Sequence, residues 1–392
     1  MKNKTSKNIR TTILSLVAFA LFISFTACRD DVEMILSEYI QLEHPRAIDG
    51  YQGFYLLNEG NMGNNKSTLD FFNFETGEYM RNIYAERNPD VPKELGDVGN
   101  DIGIYDGKLF AVINTSNKVE VMNAYTTKRI GKIDIPNCRF IRFHDGYAYV
   151  TSFAGPVVVD PNYQQLGYIA KINTTTLQQE DRCLVGFQPE ELEINDGKIY
   201  VANSGGYMGA GGTEGYERTV SVIDIATFKE DKRIDVAYNL ERIKADKRGN
   251  LWVSSQGDHM NIPSQLYFID KDKQKVTDTM DIAVSNYWLD DDMLYTYGTE
   301  YNHITGDWAI TYNIVDTKTR KVVNQNIITD GTDKMIEKPY GIMVDPETKD
   351  IYITDAGNYV TTGILYCFDK NGKKKWSVEA GDIPGHFALL PV

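Results

Sequence analysis

The sequence predicts an all-β chain, a seven-bladed β-propeller closed by a C-terminal strand that completes the first blade. Two turn series and one end-pairing predict it. A short apolar strand recurs as Phe54-Tyr55-Leu56-Leu57, Leu109-Phe110-Ala111-Val112, Ala148-Tyr149-Val150, Ile199-Tyr200-Val201, Leu251-Trp252-Val253, Leu294-Tyr295-Thr296 and Ile351-Tyr352-Ile353. Hairpin turns precede most of these, at Asp106-Gly107, Asp145-Gly146, Asp196-Gly197 and Arg248-Gly249-Asn250. Gly, Asn and Asp suit the positive φ of two-residue hairpins. A second series of turns keeps the same count, at Glu75-Thr76-Gly77, Tyr125-Thr126-Thr127, Thr174-Thr175-Thr176, Ile225-Ala226-Thr227, Lys271-Asp272-Lys273, Thr317-Lys318-Thr319 and Lys370-Asn371-Gly372. Four strands per unit at a period of roughly 40 to 55 residues is propeller spacing. A β-sandwich pair or a β-helix would also give regular short strands, but neither explains two independent turn series that agree on seven.

The ends of the chain supply the closure. Repeat one begins directly at its second strand, and Gly385-His386-Phe387-Ala388-Leu389-Leu390 reads as the missing innermost one, like Lys338-Pro339-Tyr340-Gly341-Ile342-Met343 in repeat seven. The C-terminus then provides one strand of blade one and the N-terminal part three, leaving no open edge.

The N-terminus reads as an address. Lys2, Lys4, Lys7 and Arg10 precede an apolar run from Ile13 to Phe25, too short for a stable bilayer-spanning helix. Phe25-Thr26-Ala27-Cys28 resembles a bacterial lipobox, with Cys28 the lipidated first residue of the mature chain, and Arg29-Asp30-Asp31-Val32-Glu33 resembles a surface-export signal. The expected organisation is a signal peptide over 1–27, the lipidated cysteine and a flexible polar tether over 28–50, and the propeller over 51–392. That places the protein on the outer face of the outer membrane.

Composition excludes other classes. Hydrophobic residues make up 42% and charged residues 24%, enough for a large core and too apolar for disorder. Asp and Glu number 55 against 41 Lys and Arg, a net charge of -14, so the chain lacks the basic surplus that phosphate backbones require. Beyond Cys28, the cysteines are Cys138, Cys183 and Cys367, an odd number that allows at most one disulfide; their apolar flanks favour buried thiols.

Strand alternation places the regular turns on one face and every long loop on the other, and binding residues belong on loops held by a rigid scaffold. The loop-face candidates are Asn58 and Met62 in repeat one, Phe153 in repeat three, and Asn203, Tyr207, Met208 and Tyr216 in repeat four. They continue with His259 in repeat five, Tyr301 and Trp308 in repeat six, and Tyr340, Asn358 and Tyr359 in repeat seven, with His386 at the end. Asn100, Arg139, Gln188, Asn239 and Tyr287 are placed in the returning loops of the same face. Aromatic and Met side chains give broad apolar contact while amides donate and accept, a mixture suited to a large, uncharged ligand bearing amides or hydroxyls.

Catalytic patterns are sparse. The sequence has no G-x-S-x-G, H-E-x-x-H, Walker A or paired C-x-x-C. Gly209-Ala210-Gly211-Gly212 lies between strands and reads as a hairpin loop, and Asp290-Asp291-Asp292 as a solvated turn. His259, His303 and His386 could converge on a metal only by chance of loop geometry. The expectation is a protein that is not an enzyme and carries no cofactor or metal of its own.

Phe54-Tyr55-Leu56-Leu57-Asn58-Glu59-Gly60 with Ser67-Thr68-Leu69-Asp70, and Lys338-Pro339-Tyr340-Gly341-Ile342-Met343-Val344-Asp345-Pro346, resemble the first and last blades of the surface-layer-type (YncE-like) propeller lipoproteins of Bacteroidetes. With its lipobox the chain is most similar to the cobalamin-capturing lipoproteins of the BtuG type. That resemblance implies tight binding of vitamin B12 or a related corrinoid, and its delivery to a TonB-dependent outer-membrane transporter of the BtuB type. Two other functions stand beside it: a glycan-binding or scaffold propeller, and a lyase or hydrolase built on a His–acid pair such as His303 with Glu300 or His259 with Asp258.

Overall fold

In the computed structural model, the residues described are 36–91, 94–155, 165–206, 216–259, 261–302 and 307–392. Seven antiparallel sheets are built in chain order. Blade one contains β1 (Glu38–Gln41), β2 (Tyr51–Asn58), β3 (Thr68–Asn73) and β4 (Glu78–Arg81). Blade two contains β5 (Gly99–Tyr105), β6 (Lys108–Ile113), β7 (Lys118–Asn123) and β8 (Arg129–Asp134). Blade three follows with β9 (Cys138–His144), β10 (Tyr147–Ser152), β11 (Tyr168–Asn173) and β12 (Gln179–Leu184). Blade four has β13 (Pro189–Asn195), β14 (Lys198–Asn203), β15 (Thr219–Asp224) and β16 (Lys229–Asp235). Blade five has β17 (Leu240–Ala245), β18 (Leu251–Ser255), β19 (Gln265–Asp270) and β20 (Lys275–Met280). Blade six has β21 (Asn286–Asp290), β22 (Met293–Asn302), β23 (Asp307–Asp316) and β24 (Lys321–Asn324). Blade seven has β25 (Pro339–Val344), β26 (Ile351–Asp355), β27 (Thr362–Phe368) and β28 (Lys374–Asp382).

The last strand, β29 (Pro384–Pro391), pairs with β2 and takes the innermost place in blade one. The inner strands β5, β9, β13, β17, β21, β25 and β29 touch their neighbours in that order and return to β5, which closes the ring.

In blades one to five and seven the second strand is buried on both faces over most of its length, because sheets pack against sheets around the ring. Tyr55 and Leu57 join the core shared with blade two, whereas Phe54 and Leu56 join the core shared with blade seven. The Phe54 ring lies 4.8 Å from Tyr352 and 5.4 Å from Phe387, both edge-on. This two-sided burial is why these strands read as unbroken apolar runs rather than alternations.

The turns take the geometry their residues favour. Asp106-Gly107, Asp145-Gly146 and Asp196-Gly197 each have positive φ at both positions. The second turn series carries one further device in every blade. The residue ending the third strand (Asn73, Asn123, Asn173, Asp224, Asp270 or Asp316), or just after it in blade seven (Asp369), accepts a backbone N–H two or three positions on.

The stretch expected to be a free tether departs from that expectation over 36–50. β1 pairs with β4 as a fifth, outermost strand, so the N-terminal part gives blade one four strands instead of three. Ser37 donates to the Asn82 carbonyl and Tyr39 donates to Glu86. Further on, Glu43 takes the Trp376 indole N–H at 2.9 Å and the Lys375 ammonium at 2.5 Å. Four residues with one half-buried Ile40 are too short to show an alternation.

Asp290, Asp291 and Asp292 form part of a belt between turns: Lys349 reaches Asp290, Lys247 reaches Asp291 and Arg248 reaches Asp292, each at 2.7 Å. Cys138, Cys183 and Cys367 are free, buried thiols. Among the described residues no helix is long and apolar enough to cross a membrane.

Candidate functional site

On the loop face, blades seven and one bring three of the expected residues together. Glu59, the first residue after β2, accepts the Tyr340 hydroxyl on Oε2 at 2.9 Å and faces His386 Nε2 from Oε1 at 2.8 Å. That contact places the imidazole proton on Nε2. Tyr340 meets Tyr359 edge-on, 6.0 Å between centroids, and burial together with Glu59 raises the Tyr340 phenol well above its ordinary range. Tyr359 sits in left-handed backbone, φ 64°, and keeps 42% of its surface exposed. Asn358 is exposed, and its Oδ1 accepts the N–H groups of Val360 and Thr361 and the Thr361 hydroxyl, which shapes the loop.

A second group lies across blades three to five around a cavity of about 210 Å³. Arg139 pairs with Glu190 at 2.8 Å and lies 5.0 Å over the ring of buried Phe153. His259, in left-handed backbone at φ 58°, meets the Asn239 amide at 3.2 Å. Gln256 donates to Glu241, whose carboxyl is raised by burial. Tyr216, half-buried, has its phenol raised by burial and by Asp258.

Several expected residues have other work. Asn58 and Asn203 are wholly buried at the ends of β2 and β14. Asn58 donates to Thr68 Oγ1 and Asp70, Asn203 to Thr219 Oγ1 and Ser221 Oγ, so each locks its strand to the next. Tyr287 lies within β21, its ring buried and its hydroxyl donating to the Trp252 carbonyl at 2.6 Å. Tyr301 and Trp308 stand in strands rather than a loop, directly opposite one another where β22 and β23 run on for ten residues. The Tyr- and Thr-rich run Tyr295–Tyr301 carries the pairing outward. Met62 is 73% exposed. Tyr207, Met208, His303 and Cys28 lie outside the described residues.

The sequence reading missed the central channel. A cavity of about 470 Å³ is lined by all seven inner strands and reaches Tyr51, Leu389 and Pro391 at their turn-side ends. Its wall is charged: Arg142 reaches Asp101 at 2.9 Å and also contacts Glu191, which takes Lys244 at 2.8 Å. Burial alone would raise the Glu191 carboxyl, but Lys244, Arg142 and Arg242 outweigh it and hold it at about 2. Burial pushes Glu193 up to about 7 against the pull of Arg142 and Lys244. The signal was available as charges two apart in inner strands, Glu191 with Glu193 and Arg242 with Lys244, since residues i and i+2 share a face.

One acidic group elsewhere has ligand-like spacing: Glu43, Asp350 and Cys367 bring donor atoms within 4.8 Å of one another. The Lys375 ammonium, 2.7 Å from Asp350, already supplies its positive charge.

Comparisons with known proteins agree on architecture. The chain is similar in structure to hydrazine synthase of Kuenenia stuttgartiensis, with a TM-score of 0.55 and 17% identity, over 70% of this chain and 77% of that one. It is also similar to a quinonprotein alcohol dehydrogenase-like protein of Bacteroides thetaiotaomicron, with a TM-score of 0.53 and 15% identity, over 87% and 79%. At such identities the likeness speaks for the fold alone. No curated protein matches the sequence. A family match does, over residues 52–386, nearly the whole propeller. The chain therefore belongs to the DUF5074 family, described as a domain of unknown function.

Proposed function

We propose that this protein is a surface lipoprotein that captures a corrinoid of the cobalamin type on its loop face and passes it to a TonB-dependent outer-membrane transporter of the BtuB type. In this reading it performs no chemistry on its ligand. The observation that carries the reading is the group formed by Tyr340, Tyr359 and His386 about Glu59, drawn from the two blades that close the ring. Tyr359 offers an exposed aromatic edge already braced from behind, so little rotamer freedom remains to be lost on binding. Glu59 and Glu190 give acceptors for amide N–H groups, and Arg139 and Asn239 give donors for amide carbonyls. A corrin carries such amides around its rim and needs no side chain on its metal if it is gripped by its edges. The resemblance of the first and last blades to cobalamin-capturing propellers points the same way.

Calorimetry of the full propeller with cyanocobalamin tests this. The expected result is saturable one-to-one binding that Tyr359→Ala weakens. Absence of binding at micromolar protein would overturn the reading.

A further inference from the structure

We propose that the central channel is a second binding site, in which the Arg242 guanidinium holds a small oxyanion, a carboxylate or a phosphate. The site does not rest on the corrinoid reading, although His386 lines this cavity as well as meeting Glu59 on the loop face.

Three cations line this cavity and two of them are neutralised by contact. Arg142 pairs with Asp101 and Glu191, and Lys244 pairs with Glu191. Arg242, on β17 and part of the same lining, makes no side-chain hydrogen bond and no ion pair with any described residue. Its Nε is buried without a partner, and its guanidinium rests 5.0 Å over the Phe140 ring. Burial opposes its charge, but Glu241, Glu191 and Asp101 act on it from a distance and keep it protonated. A guanidinium has five N–H donors in a planar fork, and leaving buried donors unpaired is costly. The ligand that matches such a fork is planar or tetrahedral, carries paired oxygens and bears negative charge.

The surrounding charge favours the same class. Among the described lining residues, the three cations Arg142, Arg242 and Lys244 face two carboxylates, Asp101 and Glu191. Ile102, Ile141, Phe143, Ile342 and Leu389 make the rest of the lining apolar in part, which suits a short organic acid as well as inorganic phosphate. A volume of about 470 Å³ is within the range of small-molecule sites.

The test is thermal unfolding and calorimetry of the full chain with sodium phosphate in one arm and sodium succinate in the other, each against sodium chloride at equal ionic strength. The expected result is a saturable rise in Tm with at least one probe, weakened at least tenfold in Arg242→Gln and unchanged in Tyr359→Ala. No saturable effect beyond chloride, or an equal effect in Arg242→Gln, would overturn the proposal. Should Arg242→Gln fail to fold, the arginine Nε–H resonances of the parent protein decide. A saturable shift of the signal missing in Arg242→Lys supports the site, and an unmoved signal refutes it.

Discussion

The Arg46 guanidinium meets the Asp345 carboxylate at 2.7 Å across 299 positions of sequence, tying the segment between β1 and β2 to the inner edge of blade seven. Asp345 is wholly buried, and Arg46 also lies 4.5 Å over the Phe74 ring. Arg46→Met would leave a buried carboxylate supported only by the Glu347 and Thr348 groups. Breaking a buried pair costs about 3 kcal/mol at the low end. Urea denaturation should show a loss of that order, and an unmoved midpoint would contradict it.

Removing residues 385–392 takes away most of β29, and with it the pairing to β2 and the contacts of Phe387 with Phe54. The inner strands of blades two and seven would then face an open edge. The expected outcome is loss of a single cooperative transition in calorimetry, whereas a truncated chain that melts like the parent would show that closure contributes little.

Substitutions on the loop face should separate binding from folding. Tyr359→Ala should change stability by less than about 1 kcal/mol, because the side chain is half exposed. Its effect on cyanocobalamin affinity should reach about tenfold or more if it is an anchor. Asn58→Ala and Asn203→Ala should behave in the opposite way. Each removes a buried donor from its neighbouring strand, at a cost of about 1–3 kcal/mol, while folded protein keeps its affinity.

Glu191 and Glu193 give the channel opposite pH responses. The Glu193 carboxyl, raised from 4.5 to about 7, contributes stability below pH 4.5 that is lost as pH rises through 7. The Glu191 carboxyl, lowered to about 2, contributes stability above pH 4.5 that is lost as pH falls through 2. Glu193→Gln should therefore be more stable than the parent well above pH 7, with the gain shrinking to nothing below about 4.5. Chemical denaturation across this range checks the sign.

Cys28→Ala should release the protein from the membrane fraction of cells, and neutralising Asp30, Asp31 and Glu33 should hide it from protease added to whole cells. Continued anchoring in the first variant, or unchanged cleavage in the second, would remove the lipoprotein or export reading.

The ring was legible because its signals are local. Asp-Gly turns and doubly buried second strands such as Phe54–Leu57 announce themselves in a few residues. β1 was not legible, since its pairing depends on Ser37, Tyr39 and Glu43 finding partners that are distant in sequence. At the loop face the structure brings Tyr340, Tyr359 and His386 together about Glu59, whereas Asn58 and Asn203, which look the same in sequence, are buried between strands. What distinguishes them is the Thr or Ser facing them from the next strand, Thr68 for one and Thr219 and Ser221 for the other. Arg242 was passed over because an inner-strand charge gains meaning only when the ring has gathered seven such strands around one axis.

The pairing of β1 with blade one also sets a leash. The paired strand β1 begins at Glu38, ten residues on from Cys28. Fully extended, that interval reaches roughly 36 Å. With Cys28 held in a bilayer, the outer edge of blade one could stand no farther than that from the lipid surface.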